Sequence, residues 1–175
     1  MKPSLMWLLL ICFALFSCTE EQVVEKPKKE WSIEHSIDFN QELHEREELA
    51  IEIYLAHHNG LKMTKTGSGI RYQFAQNNKG SGDIAKTGDL VKVNMKIELL
   101  DGRICYETDS IPDRFVLGLS DDESGLHEVL QLMKPGDKSK VIIPSYLGHG
   151  LLGDSKRIPP QSILLIDVEL LSTNE

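Results

Sequence analysis

Ile158-Pro159-Pro160, followed seven residues later by Asp167-Val168-Glu169-Leu170-Leu171, decides how this chain is read. The two prolines fix φ and remove backbone donors, so the chain there is a mobile loop and not a ladder. The run that follows alternates between apolar and polar side chains over its first residues and reads as a closing strand. Immediately before the prolines, residues 145–161 form a long stretch hinged by Gly148, Gly150 and Gly153, with Leu147, Leu151 and Leu152 between them. Loops of that length are uncommon unless they serve a function. Asp154, Lys156 and Arg157 break its apolar run and keep it from becoming an aggregation patch.

Working outward, alternation predicts strands over residues 61–66, 70–76, 89–99, 104–108, 114–117, 138–144 and 162–171. Leu100-Asp101-Gly102 turns the chain between two of them, since Asp-Gly favours a hairpin. One short helix is expected over 124–133, with Leu126, Val129, Leu130 and Met133 on one face and Lys134-Pro135-Gly136 ending it. Pattern alone gives an α+β domain over 61–175 and leaves its specific topology open; a bent antiparallel sheet wrapped over one short helix is the expected architecture. Ahead of it, residues 38–60 read as an amphipathic helix. Phe39, Leu43, Arg46, Ala50, Ile53, Tyr54 and His57 form its stripe, Asp38 caps its start, and Asn59-Gly60 stops it. The stripe either packs on the domain or pairs with another chain.

The N-terminal residues are of a different kind. Lys2 precedes twelve apolar residues from Leu5 to Phe16, too few to span a bilayer, which needs about 20. Residues 1–17 therefore read as an export signal. Leu15-Phe16-Ser17-Cys18 resembles the lipobox of bacterial lipoproteins, which implies cleavage before Cys18 and its acylation; an ordinary secretory signal or a short uncleaved anchor is the alternative. Residues 18–37 follow as a flexible linker, because Thr19 to Glu30 offer only Val23 and Val24 for burial. Cys12 leaves with the signal, so Cys105, in an apolar run, is the one thiol left, and it is expected to be buried and inert.

The formal charge of −8 becomes one unit more negative once Lys2 is lost, and no basic patch is present, which argues against a nucleic-acid surface. The six histidines lack ligand spacing, so no metal is expected. No cofactor is expected either.

Asp101-Gly102, Met133-Lys134-Pro135-Gly136, Ile143-Pro144 and Leu147-Gly148-His149-Gly150 fall in the order and rough spacing of the FKBP-type peptidyl-prolyl isomerases, and this resemblance covers residues 67–171. It implies a proline-binding pocket in which the backbone N–H of Ile158 bonds the carbonyl of a twisting prolyl amide. The pocket positions it implies are Met95, Tyr106, Phe115, Leu126, His149 and Ile166. Only Phe115 keeps the ring expected at its place. Met95, Leu126 and Ile166 stand where the family has aromatic rings, Asp113 replaces a phenylalanine and His149 a tyrosine.

A ring-poor pocket implies weak isomerase activity and poor binding of macrolide drugs. Each lost aromatic contact is worth about 0.5–1.5 kcal/mol beyond its area. Two functions are compatible with this. One is a membrane-tethered isomerase or folding helper for proline-containing clients in the bacterial cell envelope. The other is a non-catalytic binding module in an envelope assembly; the layout of lipobox, helix and single domain resembles the gliding-motility lipoproteins of FKBP type.

Overall fold

A computed structural model describes residues 32–120 and 123–174 of the chain. The leader, Cys18 and the tether up to residue 31 lie outside the described residues. Residues 37–175 fall in one compact unit.

Helix α1 runs from Ile33 to His57. It starts five residues before the expected Asp38, because Ser32 takes the capping role: its Oγ accepts a hydrogen bond from the His35 N–H at 3.3 Å. Short strands β1 (Thr64–Lys65) and β2 (Arg71–Phe74) follow, then the long β3 (Leu90–Leu99), β4 (Ile104–Glu107) and β5 (Asp113–Val116). Helix α2 spans Ser124–Leu130, β6 spans Lys138–Ile143, a 3-10 turn covers Ser145–Leu147, and β7 (Leu164–Thr173) closes the domain. Gly102, at φ +86°, makes the β3–β4 turn that a side chain would strain.

All pairings are antiparallel, in the order β1-β2-β6-β7-β3-β4, with β5 also on β3. Register shifts in β3 next to Val93 and between Ile97 and Glu98 bend the sheet. Its concave face carries Val91, Val93, Ile97, Val141, Ile143, Leu164, Ile166 and Val168, packed with Leu126, Val129, Leu130 and Met133 in one core. The face expected for α2 is thus the buried one.

The other face of β6 and β7 is also covered. Ile142 and Leu165 form a second cluster with Ile51 of α1, to which Tyr54, Leu55, Met63, Leu100 and Ile163 add. Two-sided burial explains why Val141-Ile142-Ile143 and Leu164-Leu165-Ile166 are unbroken apolar runs. The helix packs in cis, and its buried stripe is Leu43, Glu47 and Ile51. This corrects the expected stripe: Ile53 is 51% exposed, and Arg46 and His57 also face solvent.

An ion cluster holds the same helix. The Arg71 guanidinium, 3% exposed, donates to Glu48 at 2.8 Å and to Glu52 at 2.6 Å, while Lys65 reaches Glu48 at 2.9 Å. The Arg71 hydrogen bond lowers the Glu48 carboxyl, burial opposes it, and Lys65 adds to the lowering, leaving its pKa at about 2. A depressed carboxyl contributes stability above its ordinary value of 4.5 that is lost as pH falls toward 2. With solvent screening at this partly exposed group, the contribution is about 1–2 kcal/mol. Thermal melts from pH 6 to pH 2 are expected to show Glu48→Gln losing less stability than the parent chain below about pH 4.5. Parallel pH curves for the two proteins would contradict this.

Candidate active site

A cleft of about 410 Å³ opens on the concave face, where β3, β4, β5, the start of α2 and the β6–β7 loop converge. Met95 and Ile97 of β3 form its apolar floor. Tyr106, Glu107, Thr108, Asp113, Glu123, His149, Asp154 and Lys156 complete the walls among the described residues. Met95 and Ile97 reach the cleft because they alternate with the outward Asn94, Lys96 and Glu98 along β3.

Asp154 organises the loop side. Its Oδ1 accepts from the backbone N–H of Lys156, Arg157 and Ile158 at 2.8, 2.9 and 2.8 Å. Its Oδ2 accepts the Tyr106 hydroxyl. Burial pushes the Asp154 carboxyl up, but Tyr106 and the three amides outweigh it and hold the group well below the usual carboxylate range. The hydrogen bond to Asp154 raises Tyr106 in turn. Gly153, at φ +67°, lets the chain turn there; a Cβ would lie 2.2 Å from the Ile158 carbonyl oxygen. The Arg157 guanidinium sits 5.3 Å from the Tyr106 ring centroid and donates to the Cys105 carbonyl at 3.1 Å.

Across the cleft, His149 Nε2 lies 2.8 Å from Glu123 Oε1. Cys105 is buried beside the loop, and burial pushes its thiol up, so it supplies no thiolate nucleophile.

Of the positions singled out from sequence, Met95, Tyr106 and His149 line the cleft. Leu126, Ile158 and Ile166 are buried in the core, and the half-buried Phe115 packs against that core with its ring edge-on to His127 at 5.4 Å. None of these four lines the cleft, though Ile166 pairs in register with Ile97 of its floor. The expected donor requires a correction. Ile158 is 2% exposed, and its N–H is engaged by Asp154, so in this conformation it is not free for a substrate carbonyl.

Sequence reasoning missed Asp154 as an organiser, and it missed Ile97, Glu123 and Lys156 as lining. The available signal was Asp154-Ser155-Lys156 directly after a glycine, since an Asp side chain commonly captures backbone N–H groups two or more residues on. The ring pair Tyr72–Phe74, edge-on at 5.3 Å against the core, was also not singled out.

A larger hollow of about 580 Å³ has the outward row Gln73, Lys140, Asp167 and Lys96 in its wall. Lys140 pairs with Asp167 at 2.5 Å and Lys138 with Glu169 at 3.0 Å. Leu61, Phe74, Met95 and Val168 also line it, so it differs from the cleft in the ion pairs that cross it rather than in lacking apolar surface.

A small apolar-floored cleft between a bent antiparallel sheet and one short helix, overhung by a long loop, defines the half-barrel class of prolyl isomerases. The chain belongs to the FKBP-type peptidyl-prolyl cis-trans isomerase family, whose model matches residues 82–171. It is 34% identical over 115 residues to a probable FKBP-type peptidyl-prolyl cis-trans isomerase of Haemophilus influenzae, covering 66% of this chain and 47% of that protein. It is 35% identical over 116 residues to FkpA, an FKBP-type isomerase of Escherichia coli, covering 66% and 41%. The match thus spans less than half the length of these curated relatives.

Among solved structures, FkpA of Escherichia coli superposes with a TM-score of 0.63 at 28% identity, over 97% of this chain and 80% of that one. A peptidyl-prolyl isomerase of Pseudomonas syringae gives 0.62 at 25% identity, over 75% and 96%.

Proposed function

We propose that the chain catalyses cis–trans isomerisation of X-Pro bonds in polypeptide clients, at a rate below that of ring-complete family members. Family membership and the apolar-floored cleft support this reading. Rotation about the prolyl amide faces a barrier of about 18–20 kcal/mol because twisting costs amide resonance. Water stabilises the charge-separated planar form, so a floor of Met95 and Ile97 that strips water from the amide favours the twisted one.

The ring of Tyr106, fixed by Asp154 and Arg157, is the aromatic wall against which a prolyl ring packs. Tyr72 and Phe74 are half-buried against the core outside the cleft and Phe115 is turned to His127, so among the described residues Tyr106 is the one phenyl ring lining the cleft, beside the His149 imidazole. That scarcity is what argues for weak turnover. Exposed Ile111, Leu119, Leu151 and Leu152, the last 81% exposed, give an extended client apolar contacts outside the cleft.

The protein is tethered by lipid at Cys18 in the cell envelope, where clients are newly exported polypeptides. The reading rests on Lys2, the apolar run from Leu5 to Phe16 and the lipobox-like ending. No helix among the described residues is long and apolar enough to cross a membrane. A second reading, favoured by the ring-poor cleft, makes the domain a binding module in an envelope assembly, including one serving gliding motility.

One experiment separates the two. Met95→Asp, which charges the cleft floor, is expected to remove proline-peptide turnover and to reproduce the deletion phenotype if catalysis is the role. A normal phenotype without turnover would instead favour the binding module. Incorporation of labelled palmitate, lost in Cys18→Ala, tests the tether; equal labelling of both proteins would refute it.

A further inference from the structure

The buried stripe of α1 contains a carboxylate where a leucine would suffice. Glu47 is 5% exposed and sits between Leu43 and Ile51. Burying a carboxylate is costly unless its oxygens are bonded. Glu47 Oε2 accepts the backbone N–H of Ser145 at 3.0 Å. Among the described residues, neither Glu47 Oε1 nor Ser145 Oγ has a hydrogen-bond partner, although both are buried. Such a group weakens the fold relative to an apolar one, so packing alone does not account for it.

Ser145 stands at the root of the loop that overhangs the cleft. Its carbonyl accepts the N–H of Gly148 at 3.0 Å and of Gly150 at 2.7 Å, which brackets His149. Gly150 in turn accepts the Gln161 N–H at 2.9 Å, closing the loop at its far end. The Tyr146 hydroxyl donates to the Ser68 carbonyl at 2.6 Å, and the Ser124 hydroxyl donates to the Leu147 carbonyl at 3.1 Å. From α1, Glu47 bonds this root and the His44 ring lies 5.5 Å from that of Tyr146, while the neighbouring Glu48 and Glu52 are bonded to Arg71.

We infer that Glu47 is a positioning residue: through Ser145 it fixes the root of the cleft loop, so that α1 belongs to the active site's scaffold. The turnover part of this inference rests on the isomerase reading above, while its mechanical part does not.

The test uses Glu47→Leu, Glu47→Gln and Glu52→Ala in the full chain, with amide exchange, melting temperature and proline-peptide kinetics measured on each. Leucine completes the apolar stripe, so Glu47→Leu is expected to melt no lower than the parent. Its Gly148 and Gly150 amides are nonetheless expected to exchange about tenfold faster. Its kcat/KM is expected to fall about tenfold, mainly in kcat, because the loop no longer holds its walls in place. Glu47→Gln keeps an acceptor and restores both readouts, and Glu52→Ala, which touches Arg71 and not the loop, changes neither.

Should Glu47→Leu destabilise the domain, Ser145→Pro deletes the same donor, since Pro144 at φ −59° and ψ 155° suits a following proline; the same loosening is then expected. Unchanged loop exchange in these variants, or equal loosening in Glu52→Ala, overturns the inference. A loosened loop with unaltered turnover overturns its catalytic part. A parent chain without turnover sinks the isomerase reading alone, and the amide exchange still decides whether Glu47 holds the loop.

Discussion

Asp154→Ala is expected to lower kcat/KM toward proline peptides by about a hundredfold, the scale of loss seen when a site's walls are displaced by an ångström. One carboxylate gathers the N–H groups of Lys156, Arg157 and Ile158 and the hydroxyl of Tyr106, so its removal frees the loop and the cleft ring together. Alanine also leaves the N–H of Ile158, a buried residue, without its acceptor. Tyr106→Phe loses one of the four bonds and keeps the ring, so it is expected to retain most of the activity. Because Asp154 is held well below the usual carboxylate range, it stays ionised, and its protonation gives no acid limb in the pH–rate profile above about pH 4. Steady-state kinetics on the two variants check this, and an Asp154→Ala protein as active as Tyr106→Phe would show that the loop needs no such anchor.

The largest stability effect is expected at Ile51. It is fully buried against Ile142 and Leu165, so Ile51→Ala leaves a cavity between helix and sheet and costs about 2–5 kcal/mol. Ile53→Asp, two residues on, changes an exposed side chain and is expected to cost no more than about 0.5 kcal/mol. Urea unfolding of both variants distinguishes a docked helix from an appended one. Equal midpoints for the two would mean that α1 does not pack on the sheet as described.

The sheet and α2 were legible because their signals are local. Strict alternation marked Leu90–Leu99, and Leu126, Val129, Leu130 and Met133 recur at helical spacing with a Pro-Gly stop after them. Helix α1 was legible as a helix but misread in phase. Its outer surface carries exposed Leu49 and Ile53 while its buried stripe carries Glu47, so counting apolar residues turns the helix the wrong way. Its start was misplaced because Ser32 and Asp38 are both good caps, and propensity does not rank them.

In the cleft, Met95, Tyr106 and His149 came from the family resemblance, matched segment by segment along the chain. The role of Asp154 could not be placed that way, since it depends on Tyr106, a residue 48 positions away in sequence. The occupied amide of Ile158 is a different case: its acceptor, Asp154, lies four residues back, so the signal was the local one of an Asp after Gly153, whose capture of successive amides went unrecognised.

A cleft floored by Met95 and Ile97, with Tyr106 as its ring wall, is expected still to turn over prolyl bonds. Protease-coupled isomerisation of a proline tetrapeptide, run beside a ring-complete FKBP, measures this directly. The expected result is clear acceleration over the uncatalysed rate, with kcat/KM about a hundredfold below the comparator, since every 1.36 kcal/mol of lost ring contact costs about a factor of ten. A rate equal to the comparator's, or no acceleration at all, would contradict it.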